Sequence, residues 1–251
     1  MDIKCHTITH PPILPYPTKG NIGFFSLVSA SMGPFIIDTF EPNTKNRMRY
    51  CESLAMNRWD QGEFDASQPD GVNPVVNLYP LGVGKEEGKF LFLEHVNPGQ
   101  GSFVEKDASN TQQKLNDPLT VGSTELEIIT LDDFAKERNW FETRPDIAIL
   151  KIDVEGLEYS VIEGAKQLLK AHLIRNIFME VSVRTPEEKE SNRPFIDFLR
   201  NNGYQLHQTG AWAGPNTVVD WPNDEKLADK ILGGAEQEQA KQLNLWYKLA
   251  A

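Results

Sequence analysis

The chain is short of several things, and each shortage removes a class of protein. It holds two cysteines, Cys5 and Cys51, in 251 residues. Two such thiols give neither a disulfide framework nor the spacing of a metal site, and reduced thiols in a cytosolic protein are the default. Basic side chains are also few: 25 Lys and Arg stand against 36 Asp and Glu, a formal net charge of −11. Phosphate backbones are gripped by clustered cations, so the charge argues against nucleic acid as a partner. It disfavours anionic membrane surfaces for the same reason. No run approaches the roughly 20 apolar residues of a membrane span, and the amino terminus lacks the apolar core of a signal peptide. Internal repeats and low-complexity tracts are missing. A cytoplasmic protein long enough for one domain with a full core remains.

One motif is missing as well. Gly-x-Gly-x-x-Gly, which seats a dinucleotide pyrophosphate, is not found where a glycine turn opens the first helix. That turn reads Thr18-Lys19-Gly20-Asn21-Ile22-Gly23, which counts against a nicotinamide-dependent dehydrogenase.

What is present centres on Ala148-Ile149-Leu150-Lys151-Ile152-Asp153-Val154-Glu155-Gly156-Leu157-Glu158. Its first half is an apolar run suited to a strand buried in a parallel sheet. Beyond Gly156 the period becomes helical, with Leu157, Val161, Ala165 and Leu168 on one face. Asp153 and Glu155 therefore stand at the carboxyl end of a strand, where open α/β sheets bind ligands. The plainer alternative makes Glu155 and Glu158 dipole-complementing residues and Asp153 a turn residue.

Lys-Ile-Asp-Val-Glu-Gly-x-Glu followed by an amphipathic helix resembles the hallmark of the FkbM family of methyltransferases. Three further blocks are similar to that family. One is Asn-Ile-Gly, a helix, the strand Phe35 to Phe40 and then Phe40-Glu41-Pro42-Asn43; the second is the strand Val75 to Leu81 running into the turn Gly82-Val83-Gly84-Lys85, which in the family flanks the adenine; the third is Thr130-Leu131-Asp132-Asp133-Phe134. The resemblance implies a Rossmann-like class I methyltransferase sheet, α/β and mostly parallel, with an antiparallel hairpin closing it. It implies S-adenosylmethionine as cofactor and O-methylation of a small-molecule or sugar hydroxyl.

The residues divide accordingly. Gly20, Asn21, Ile22 and Gly23 form a glycine turn into a helix, which lets a cofactor approach backbone N–H groups. Glu41, at the tip of the second strand, has the ribose-binding position, since one carboxylate accepts from two vicinal hydroxyls; its alternative is an exposed loop acid. Pro42, Leu81 and Gly82 complete the cofactor set, with Asp153 shared between cofactor and chemistry. Asp153, Glu155 and Glu180 are the candidate catalytic carboxylates. They could offer oxygen ligands to Mg²⁺, but their spacing does not demand it and no metal is assigned.

The remaining elements follow from composition. Asn43 caps a helix from Thr44 to Met56 with apolar Met48, Cys51, Leu54 and Ala55. Val75 to Leu81 is a strand ending in the turn Gly82-Val83-Gly84-Lys85. Lys89 to Val96 is a strand ending beside His95, which is weighed as a general base. Asn97 to Thr124 reads as a long lid-like loop. Then come a strand Glu125 to Leu131 and, after the central block, a strand Ile174 to Val181. A charged loop Arg184 to Arg193, a helix Pro194 to Asn202 capped by Gly203, and a strand Tyr204 to Gln208 follow. Trp212 and Trp221 lie in a loop suited to gripping a substrate, before a helix Asp224 to Gln242 and a last strand Leu243 to Leu249.

Residues 1–18 depart from the family pattern. Pro11, Pro12, Pro15 and Pro17 crowd the place of an apolar first strand, and proline cannot donate to a central ladder. An irregular segment 1–18 before a methyltransferase domain 19–251, with the first strand degenerate or missing, is the expectation. A non-catalytic or amino-terminally truncated relative is the alternative function. The oligomeric state is open.

Overall fold

A computed structural model describes residues 13–16, 24–33, 35–59, 74–96, 102–105, 111–154, 157–182, 186–207 and 242–250. The fold is mixed α/β with parallel and antiparallel strands, in two compact units, Met1–Ile129 and Thr130–Ala251.

The first unit begins with β1 (Ile13–Tyr16), α1 (Phe24–Ser31), β2 (Ile36–Phe40), α2 (Thr44–Met56) and β3 (Val75–Tyr79). The strands form a parallel sheet in the order β1-β2-β3. Within the proline-rich segment Ile13–Tyr16 pairs as a short strand, which corrects the expectation that the first strand is missing; residues 1–12, 17 and 18 lie outside the described residues. Pro15 pairs opposite Asp38. Proline carries no N–H, so Pro15 joins this pairing without donating to it.

Every residue of β2 is buried. Against it α1 turns its small polar face: Ser26, Ser29 and Ala30 are buried, while Phe25, Val28 and Met32 are exposed. Ser26 Oγ lies 2.9 Å from Thr39 Oγ1, which lies 3.4 Å from the Tyr50 hydroxyl. The three hydroxyls tie α1, β2 and α2 together, and burial pushes the Tyr50 phenol up to about 12. Asn43 caps α2 as its residue type predicts, its side-chain oxygen accepting from Lys45 N and Asn46 N. The buried face of α2 is Asn46, Tyr50 and Leu54 rather than Met48, which is exposed.

The unit continues with β4 (Gly82–Val83), β5 (Gly88–His95), β6 (Ser102–Glu105), α3 (Thr111–Leu115) and β7 (Thr120–Ile129), in the sheet order β4-β7-β5-β6. Leu81 precedes β4, and Gly82 pairs with Ile128 instead of forming a turn. The expected lid over 97–124 is corrected too. It contains β6, antiparallel to β5, then α3 and the first half of β7. Gly, Ser and Asn composition hid Ser102-Phe103-Val104-Glu105, whose pairing comes from its neighbour rather than its propensity.

The second unit runs α4 (Leu131–Glu137), α5 (Trp140–Thr143), β8 (Ile147–Ile152), α6 (Glu158–Glu163), α7 (Lys166–Lys170), β9 (Ile174–Ser182), α8 (Pro186–Asn201), β10 (Tyr204–His207) and β11 (Gln242–Leu249). Its sheet order is β10-β11-β9-β8, with β8 and β9 parallel and β11 antiparallel to both neighbours. Ile152, Ile177, Met179 and Val181 are buried on the sheet, as are Val161 and Ile162 of α6 and Phe195, Ile196 and Leu199 of α8. Fully burying such a side chain contributes about 1.5–3 kcal/mol.

Two boundaries differ from expectation. The helix after the central strand breaks at Gly164 into α6 and α7, and Leu157 is exposed although Val161, Ala165 and Leu168 are buried. α8 starts at Pro186, so the segment read as a charged loop is helical; proline suits a first helical position. Gly203 ends it at φ +83°, the left-handed conformation glycine adopts without strain. Trp212, Trp221 and the expected helix from Asp224 as far as residue 241 lie outside the described residues, while Gln242, expected as its last residue, opens β11.

The Thr130-Leu131-Asp132-Asp133-Phe134 block has a mechanical role here. Thr130 caps α4 by accepting from Asp133 N. Asp132 N donates to Gly164 O at 2.8 Å, and its carboxylate accepts from Gln167 N at 2.9 Å and Leu168 N at 2.8 Å. One aspartate therefore fastens α4 to the break between α6 and α7 and caps α7. Asp132→Ala is expected to cost roughly 1.5–3 kcal/mol, the range for hydrogen bonds to a charged group, measured by denaturant unfolding. A loss under 0.5 kcal/mol, roughly the level of an ordinary surface change, would show the clamp to be idle.

Candidate active site

In the second unit the register of β8 and β9 brings two carboxylates to one sheet edge. Ile152 pairs with Met179, so Asp153 and Glu180 are the next residues on two parallel neighbours. Strand alternation puts Lys151 and Asp153 on the same face, and Lys151 Nζ reaches Asp153 Oδ2 at 3.0 Å. The two side chains are only 9% and 14% exposed. An ion so placed is costly unless its partner is beside it.

The backbone after Asp153 is held separately. Glu158, 3% exposed, accepts from Val154 N at 3.2 Å through Oε1. The last glutamate of the octapeptide thus fastens the strand-end turn from the first turn of α6. Glu155, with Gly156, lies outside the described residues, so no contact is assigned to it.

The row of residues level with Lys151 continues across the sheet. Lys151 pairs with Phe178, Phe178 with Trp246 and Trp246 with His207. The Phe178 and Trp246 rings stack at 5.6 Å and 10°, and His207 lies 4.7 Å from Trp246. The indole N–H donates to Asn176 Oδ1 at 3.1 Å, fixing its plane.

In the first unit Glu41 is buried, 1% exposed, which rejects the exposed-loop alternative. Its Oε1 accepts from Asn43 N at 2.8 Å and its Oε2 from Asn46 Nδ2 at 3.4 Å. Arg47 donates to the Glu41 and Pro42 carbonyls at 3.0 and 2.5 Å. Burial pulls the Arg47 guanidinium below its ordinary value, with Glu41 opposing. Gly20, Asn21, Ile22 and Gly23 lie outside the described residues. His95 sits at a β-bulge where β5 slips against β7.

Sequence reasoning missed Asp38 and Lys151. Asp38 is fully buried and accepts from Asn77 Nδ2 at 2.9 Å and the Tyr79 hydroxyl at 3.0 Å, tying β2 to β3. The signal for each was a charged residue inside an otherwise apolar strand. Among the described residues no group of three or more His, Cys, Asp or Glu could hold a metal ion. No helix among them is long and apolar enough to cross a membrane.

The family model of the methyltransferase FkbM domain matches residues 22–206. The chain belongs to that family. Among solved structures, the FkbM domain here is similar to the methyltransferase FkbM from Methylobacillus flagellatus KT, at 16% identity and a TM-score of 0.44. The match covers 78% of this chain and 40% of that one. A search of curated proteins finds no match.

One residue beyond the matched FkbM domain, His207 is a buried group with a consequence for pH. It is 7% exposed, and among the described residues its Nδ1 has no hydrogen-bond partner. Burial, then Lys248, lowers its pKa. The folded protein therefore holds it neutral while the unfolded chain still titrates near 6.5. Stability is complete above that value and falls as the pH drops toward the lowered folded one. His207→Phe keeps the ring stack and removes the titration. It is expected to melt at or above the parent at pH 7 and to lose less melting temperature between pH 7 and pH 5. An acid loss as steep as the parent's would assign the titration to another group.

Proposed function

We propose that this FkbM domain is an S-adenosylmethionine-dependent methyltransferase acting on a hydroxyl of a small molecule or sugar. The observation that carries the reading is Asp153, inside the family octapeptide, at the carboxyl end of a parallel strand with Glu180 level beside it. The antiparallel β11 between β9 and β10 supports the reading of a closing hairpin of the Rossmann-like class I kind. Family membership over most of the chain supports the same reading.

The chemistry asks little of the protein. When bound, the sulfonium supplies an already activated methyl group. The chain's own residues must orient the acceptor and take its proton. Asp153 would take the proton of the acceptor hydroxyl as that oxygen displaced the bound sulfonium's methyl from sulfur, leaving the neutral thioether. Glu180 is level with Asp153 and suits a second hydrogen bond to the acceptor. Glu41 fits a ribose, because its position at the end of β2 is that of the ribose acid in nucleoside-binding sheets. Its buried hydrogen bonds hold it there.

Calorimetry with S-adenosylmethionine tests the reading. The parent is expected to bind it and to give no signal with a nicotinamide nucleotide. Glu41→Ala should weaken binding by roughly 1.5–3 kcal/mol. Asp153→Asn should keep affinity near the parent's, because its charge is assigned to the acceptor. A folded Glu41→Ala with parent affinity would remove the ribose role, and a parent with no heat of binding would remove the activity itself.

A further inference from the structure

We infer that Lys151 is the positioning residue for Asp153, an assignment that rests on the methyl-transfer reading above. Asp153 stands one residue past the end of β8, and the register of its backbone does not orient its carboxylate. Two side chains act there: Glu158 holds the next peptide through Val154 N, and Lys151 holds the carboxylate itself.

Lys151 is an unusual choice for its position. It is 7% exposed, its neighbours along the row are aromatic, and its strand neighbours are Leu150 and Ile152. Ordering a lysine side chain costs up to about 2 kcal/mol of rotamer entropy. Desolvating its ammonium costs more. An apolar residue would avoid both penalties, so packing does not explain the lysine. What an apolar residue cannot do is hold Oδ2. A lysine ammonium is a compact point charge with three donors, able to fix one oxygen without a second one. With Oδ2 taken by Lys151, Oδ1 is the oxygen assigned to the acceptor hydroxyl, and the pair sets the direction in which it is offered. The competing explanation is an ion pair that stabilises the sheet edge and nothing else.

Nuclear magnetic resonance with labelled lysine Nζ and aspartate Cγ separates the two, alongside transfer of a tritiated methyl from S-adenosylmethionine to methyl hexosides and catechol as probe acceptors. The parent is expected to show a lysine ammonium signal protected from solvent exchange, which Asp153→Asn abolishes. The Asp153 Cγ signal should be sharp in the parent, broad in Lys151→Met and sharp again in Lys151→Arg. Turnover should fall about 10²-fold in Lys151→Met, the cost of a misplacement near 1 Å. KM for S-adenosylmethionine should stay within about twofold, and Lys151→Arg should recover part of the lost kcat. An Asp153 signal as sharp as the parent's in folded Lys151→Met overturns the positioning role with no acceptor needed, and so does parent turnover in that variant. If Lys151→Met does not melt cooperatively, Lys151→Gln serves for the same comparison. A parent that shows the protected ammonium yet gives no heat with S-adenosylmethionine overturns the functional reading. It leaves Lys151–Asp153 as a structural pair, which overturns the positioning role as well.

Discussion

A carboxylate taken out of water has to find its donors where it stands, and much of this fold is arranged around that demand. Asp132 meets two backbone N–H groups at the start of α7. Glu41 meets the Asn43 N–H before α2, and Glu158 meets the Val154 N–H after β8. Asp38 meets Asn77 and Tyr79 across the β2–β3 pair. Each buried acid is thereby a fastener between two pieces of chain. Asp153 differs from them. Its carboxylate pairs with a lysine side chain rather than with the backbone, and it stands at a strand end beside another acid.

That difference separates two kinds of residue within the family blocks. Thr130, Asp132 and Glu158 act on the backbone and explain why the strand-end turn has its shape. Lys151, Asp153 and Glu180 stand together where β8 ends beside β9, and Lys151 pairs with Asp153. Proposing Asp153 as the group that receives the acceptor's proton follows from this separation as much as from the motif.

The repeating parts of the fold were legible in the sequence because period and caps agree there. Asn43 before Thr44–Met56 gave the helix its start, and the apolar run to Ile152 gave β8. Failures occurred where pairing overrides local preference. Ser102–Glu105 is a strand because β5 lies beside it, and Ile13–Tyr16 is one because β2 lies beside it. The break at Gly164 exists because Asp132, more than 30 residues earlier, fastens it, which no local window can show. In the site, strand-end acids were readable from position. Lys151 was hidden by being counted as an interruption of an apolar run.

Amide hydrogen exchange with and without S-adenosylmethionine tests the central claim most directly, because it needs no acceptor and no substitution. The account predicts protection concentrated in two stretches, Glu41 to Asn46 and Ile152 to Glu158, with the Asp132 clamp unchanged. Saturating S-adenosylmethionine that leaves both stretches exchanging as in the free protein would contradict it.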